Sequence, residues 1–146
     1  MANFDVTQMV TDRTLEDVKA KNDKGCYNAT DLNRVSEAII YLRSKLIELG
    51  YNSSRGTTRL KTNWKMTDFP TQTYMQEYVI CLRCLNTQLV RASSYTFNTY
   101  QYWSHKDANE FEKMIVQLNT YIENLEKNTD LGWAMGMANL GLYSSI

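Results

Sequence analysis

The sequence predicts an all-α fold: a bundle of three long helices, over about 29–49, 72–91 and 105–127, with a short N-terminal helix and an irregular C-terminal tail. Two observations carry this. Three segments repeat apolar residues at alternating steps of three and four, which is the period of one helical face. Each segment also opens on a residue able to cap a helix.

The first long helix is capped by Asn28, with Asp31 three residues on, where a carboxylate meets the free N–H groups. Its stripe is Leu32, Val35, Ile39, Leu42, Leu46 and Leu49. Gly50 follows, as expected of a left-handed C-terminal cap. The second opens at Pro70-Thr71, with Thr71 as N-cap, and carries Met75, Tyr78, Leu82, Leu85 and Leu89. The third opens at Ser104, with Asp107 completing a capping box, and carries Ala108, Phe111, Ile115, Leu118, Ile122 and Leu125. An isolated helix cannot hide such a stripe, so the three stripes are expected to face one another. A trimeric coiled coil is the alternative, but a heptad pattern this short also fits an ordinary single-chain core.

A shorter helix is expected ahead of these. Thr14 caps it, Asp17 stands three residues on, Leu15 and Val18 give it an apolar edge, and Gly25 ends it. The chain then divides into an N-terminal arm (1–27), the bundle (28–128) and a Gly-containing apolar tail (129–146). That tail, with Trp133, Met135, Met137, Leu140, Leu142 and Tyr143, has no clear period and needs cover from the bundle or from another chain.

Composition narrows the function by exclusion. The 146 residues are long enough for one domain with a core of its own. Lys+Arg and Asp+Glu are 16 each, so the net charge is zero, and a general nucleic-acid binder is disfavoured. No apolar run approaches the ~18 residues that span a bilayer, so no membrane insertion is expected. The opening MANFDVTQMV lacks a basic stretch followed by an apolar one, so no secretion signal is expected. Three cysteines then fit free thiols in a reducing compartment.

Each candidate for chemistry has a plainer reading. Cys81 and Cys84 form a C-x-x-C, but about ten residues inside a helix, where the N-terminal lowering of a thiol pKa is absent. They read as small hydrophobes. A zinc site needs Cys26 and His105 as well, and no spacing brings them near, so neither metal nor cofactor is expected. His105 reads as a surface residue at a helix start. Glu110 with Glu112, and Asp12 with Asp17, read as carboxylates placed by helix dipoles. No nucleophile elbow, phosphate-binding glycine loop or H-E-x-x-H is present, so the chain is not expected to be an enzyme. Arg55, Arg59, Lys61 and Lys65, with Trp64 the single nearby aromatic, read as a solvated loop before a nucleic-acid contact. The stronger binding candidate is the aromatic segment Tyr95, Phe97, Tyr100, Tyr102 and Trp103. Such rings anchor protein interfaces or stack on sugars, so a neighbouring protein or a cell-wall glycan is the expected partner. Packing of the same rings over the bundle end is the alternative.

Several blocks stand in a recognisable order: Thr11-Asp12-Arg13-Thr14 with Asp17-Val18, Lys24-Gly25, Tyr27 through Val35, Tyr41-Leu42, Leu49-Gly50-Tyr51, Thr62-Asn63-Trp64, Asp68, Pro70-Thr71, Met75, and Asp107 through Lys113. Over about residues 11–125 these resemble a module in phage and prophage structural proteins of Gram-positive bacteria, encoded among tail and baseplate genes. The resemblance implies a non-enzymatic virion component made in the bacterial host cytoplasm, contacting other virion proteins or copies of itself. It transfers no catalytic residue. Members of that family often carry a longer insert between the Lys-Gly and Tyr-Asn blocks, which this chain lacks.

Overall fold

A computed structural model of the chain describes residues 4–51, 59–90 and 104–144. A 3₁₀ turn at Val6–Gln8 precedes four helices: α1 (Leu15–Ala20), α2 (Ala29–Glu48), α3 (Gln72–Val90) and α4 (His105–Ser144). There is no strand among the described residues, and α2, α3 and α4 form a helical bundle.

The caps are made as the sequence predicts. Asn28 Oδ1 accepts from the backbone N–H groups of Thr30 and Asp31, while Asp31 Oδ2 accepts from Asn28 N–H. Ser104 and Asp107 form the same reciprocal pair, and Thr71 Oγ1 accepts from Tyr74 N–H. Gly50 ends α2 at φ 89°, with its N–H on Ile47 O and that of Tyr51 on Leu46 O. These are the two bonds of a Schellman cap, which requires the left-handed conformation that glycine adopts without strain.

The predicted stripes close on one another. Leu32, Val35, Ile39, Leu42 and Leu46 from α2 join Tyr78, Leu82 and Leu85 from α3 and Phe111, Ile115, Leu118 and Ile122 from α4 in one core. Each such side chain contributes about 1.5–3 kcal/mol before entropy is subtracted. Leu89 of the α3 stripe is not among the residues with a described side chain.

The three helices run parallel. Glu112, early in α4, bonds Arg34 early in α2, and Glu126 pairs with Lys45 near the end of α2 at 3.4 Å. On the α3 side, Tyr78 OH meets Ser36 at 2.7 Å, and Tyr74 packs edge-on against Trp64, whose backbone bonds Asn33. Each helix thus begins at the end of the bundle opposite to where its predecessor finishes. This accounts for the long connections: even residues 91–104 can reach roughly 45 Å at ~3.3 Å per residue, more than the ~30 Å of a twenty-residue helix.

Two boundaries differ from expectation. α1 stops at Ala20, with Lys21 in the left-handed region at φ 51°, rather than at Gly25. Gly25 instead lies against α1: a Cβ there would stand 2.1 Å from Asp17 O. The C-terminal tail is not irregular: α4 runs on through it to Ser144. No proline follows residue 105, and each glycine costs a helix only ~1 kcal/mol, so the Ala, Leu and Met residues around the three glycines sustain it.

Candidate functional site

Glycine, cap and stripe place four charged side chains together under the N-terminal arm. Arg13 leads into α1, Asp31 and Arg34 lie on the first turns of α2, and Glu112 lies two turns into α4. Arg13 Nη2 is 2.7 Å from Glu112 Oε1 and 3.3 Å from Asp31 Oδ1. Arg34 Nη2 is 2.6 Å from Asp31 Oδ1 and 3.1 Å from Glu112 Oε2. Two guanidinium and two carboxylate groups cancel in charge. Glu112 is fully buried, with Arg13 and Asp31 nearly so.

Further hydrogen bonds of Glu112 and Arg13 bind the arm, while Arg34 Nε is buried without a partner. Val10 N–H donates to Glu112 Oε2 at 2.7 Å. Arg13 Nη1 donates to Val10 O and its Nε to Lys24 O. Asn109 of α4 completes the attachment, accepting from Arg13 N–H and donating to Arg13 O, both at 2.9 Å. Burial opposes the Arg34 charge, yet Glu112 and Asp31 outweigh it and raise its pKa. The Tyr27 ring lies 5.0 Å under the Arg13 guanidinium. Burial, then the Glu112 charge, pushes the Tyr27 hydroxyl well above its usual range. Beyond the cluster, Met9 enters the core and Phe4 stacks on Tyr41 at 4.9 Å.

A second polar network holds the segment before α3. Asn33 repeats the Asn109 device, accepting from Trp64 N–H at 2.7 Å and donating to Trp64 O at 3.0 Å. Trp64 Nε1 donates to Tyr78 OH at 2.7 Å, and Ser36 Oγ and Lys61 O lie within hydrogen-bond distance of the same hydroxyl. Trp64 is therefore a core residue rather than an exposed companion of the basic loop. Arg59 faces Glu77 at 3.7 Å and Lys61 faces Asp68 at 3.1 Å, so both basic residues meet acids of their own chain. Arg55 lies outside the described residues.

The turn that follows presents apolar residues to solvent. Asp68 N–H donates to Lys65 O and its carboxylate accepts from Lys65 N–H, both at 2.9 Å. That backbone bond, followed by the Lys61 contact, lowers the Asp68 pKa. On this fixed turn Met66 is 79% exposed and Phe69 86%. Beside it lies a groove of about 190 Å³, walled by Tyr27, Ala29, Trp64, Met66 and Pro70.

The binding candidates Tyr95, Phe97, Tyr100, Tyr102 and Trp103 lie outside the described residues. Cys81 is buried and Cys84 half-buried inside α3, while Cys26 is exposed; none of the three forms a disulfide. His105 is the first residue of α4. Among the described residues, no group of three His, Cys, Asp or Glu could hold a metal ion. Nor is any described helix long and apolar enough to cross a membrane.

Glu112 is the clearest departure from the sequence reading: it is not a solvated helix-start carboxylate but the centre of a buried cluster. One signal for it was present, since Phe111-Glu112 puts a charge beside the apolar stripe. No family model matches the chain, and no curated protein or solved structure matches it either.

Proposed function

We propose that the chain is a non-enzymatic structural module of a phage particle, an adaptor or assembly component of the tail or baseplate. The observation that supports this reading is the convergence of the blocks behind the family resemblance. Arg13 from the first block, Asp31 and Arg34 from the second, and Asn109 and Glu112 from the last meet in one buried lock. Asn33, in the same block as Asp31 and Arg34, ties one further block to it through Trp64. Residues of this kind fix a shape: their charges are neutralised by one another, and Arg13, Glu112 and Asn109 also bond backbone of the arm. An adaptor needs such a shape, and its contacts belong on the surface, where the Met66–Phe69 turn stands exposed.

Mass spectrometry of purified virions, with light scattering of the isolated protein, tests the proposal. The chain is expected in the particle and in association with itself or with a virion neighbour. A strict monomer absent from particles would overturn it.

A further inference from the structure

The Met66–Phe69 turn carries a projection and a recess side by side. Phe69 and Met66 project from it, almost wholly exposed. The recess is the adjoining groove, walled by Tyr27, Ala29, Leu32, Trp64, Met66 and Pro70. At about 190 Å³ it falls short of the ~300 Å³ at which pockets for whole small molecules begin, so its guest is a single side chain. Both features are held in place. The Asp68 carboxylate pins the turn through Lys65 N–H, and Trp64 is fixed by Asn33 and Tyr78. A turn already ordered loses little entropy on contact.

Two properties choose the guest. The groove is lined by one base, the exposed Lys65, and one acid, Asp68. Their charges cancel, so a partner of one sign gains nothing there. A rotated copy of the same turn instead offers an acid to the base and a base to the acid. The projection is itself apolar and stands beside an apolar recess, which makes the patch self-complementary, as a two-fold contact requires.

We propose that two copies of the chain pair about a two-fold axis at this turn, each placing Phe69 in the groove of the other, with Lys65 facing the partner's Asp68. This rests on the assembly reading above and names its partner: a second copy of this chain. The area sets the strength. With an aromatic side chain burying about 150–250 Å², Phe69 with Met66, Pro70 and the half-exposed Tyr74 supply on the order of 500 Å² per copy. The pair buries about twice that, which reaches the ~1,000 Å² of a specific interface but not the ~1,600 Å² of a standard one. The dimer is therefore weak and concentration-dependent.

Sedimentation velocity on the full chain, with an NMR dilution series, tests this. The wild-type chain is expected to pass from monomer to dimer as concentration rises. Phe69→Glu should raise the dissociation constant by about tenfold or more, as for a central aromatic anchor. Its side chain is exposed in the single copy, so the fold is unaffected. Ala29→Leu, which fills the groove, should weaken pairing from the other side of the contact. If circular dichroism shows Ala29→Leu losing helix, Met66→Ala replaces it with the same expected direction. Shifts on dilution should centre on Met66, Phe69 and the Trp64 indole N–H. A wild-type chain that stays monomeric, a Phe69→Glu chain that pairs like wild type, or dilution shifts centred away from the turn would each overturn the proposal. Virion mass spectrometry reads the assembly proposal and the Phe69→Glu comparison reads this one: a monomeric chain found in particles overturns only the pairing.

Discussion

Arg13 Nη2 and Glu112 Oε1 meet at 2.7 Å, joining residues 99 positions apart in a site closed to water. This pair ties the N-terminal arm to α4, and Asp31 and Arg34 extend it to α2. A buried ion pair adds little over a well-packed apolar pair, yet removing one partner strands the other charge.

Glu112→Gln is therefore expected to cost about 3–5 kcal/mol, the range for breaking a buried pair. It leaves Arg13 and Arg34 sharing Asp31. Urea unfolding followed by circular dichroism checks this. Arg13→Met with Glu112→Leu should lose less than the two single changes summed, because the stranded charge is gone. A Glu112→Gln chain as stable as wild type would remove the lock from the account.

Asn109→Ala removes both bonds to the Arg13 backbone while leaving the four charges in place. The expected loss is about 1–3 kcal/mol, since a part-buried N–H and C=O lose their partners. Amide exchange at Arg13 and Val10 should accelerate before that of the α2 core. Uniform acceleration across the chain would show that the arm has no separate opening.

Gly25 and Gly50 should fail for different reasons. Gly25→Ala places a methyl 2.1 Å from Asp17 O, so α1 and its loop must move apart, at about 1–3 kcal/mol. Gly50→Ala meets open space but sits at φ 89°, so its cost is backbone strain of about 1–2 kcal/mol. Crystal structures of the two variants separate these mechanisms: the first should show a displaced α1, the second an unchanged bundle.

Asp17 gives α1 a pH dependence. Hydrogen bonds from the Asn22 side chain and from Thr14 lower its pKa from 3.8 to about 2. A folded-state pKa below the unfolded value stabilises above the unfolded pKa and is lost as pH falls through the folded one. The α1 cap should thus be complete above pH about 4 and released as pH falls toward 2. A carbon-13 NMR titration of the Asp17 carboxyl checks this, and a midpoint near 3.8 would mean the cap is open in solution.

Much of the bundle was legible along the chain. Leu32 through Leu46, Tyr78 through Leu85 and Phe111 through Ile122 announce their burial by period, because a helix repeats every 3.6 residues and the pattern is local. The caps at Asn28, Thr14 and Ser104 are local too, each a bond between residues two or three apart. Gly25 was misread as the stop of α1, which ends at Ala20, because what Gly25 serves is a contact: it is crowded by the carbonyl of Asp17 across a loop. α4 outran its expected end because glycine within a helix only weakens it, and no proline follows to stop it.

The sequence by itself determined where the three long helices begin and which face of each is apolar within the bundle, since both follow from the order of neighbouring residues. Only the tertiary structure decided that the three long helices run parallel, and that Arg13, Asp31, Arg34 and Glu112 share one site. A charged residue carries no mark of its partner: attraction between groups depends on distance in space, and the chain must fold before Glu112 lies closer to Arg13 than to solvent.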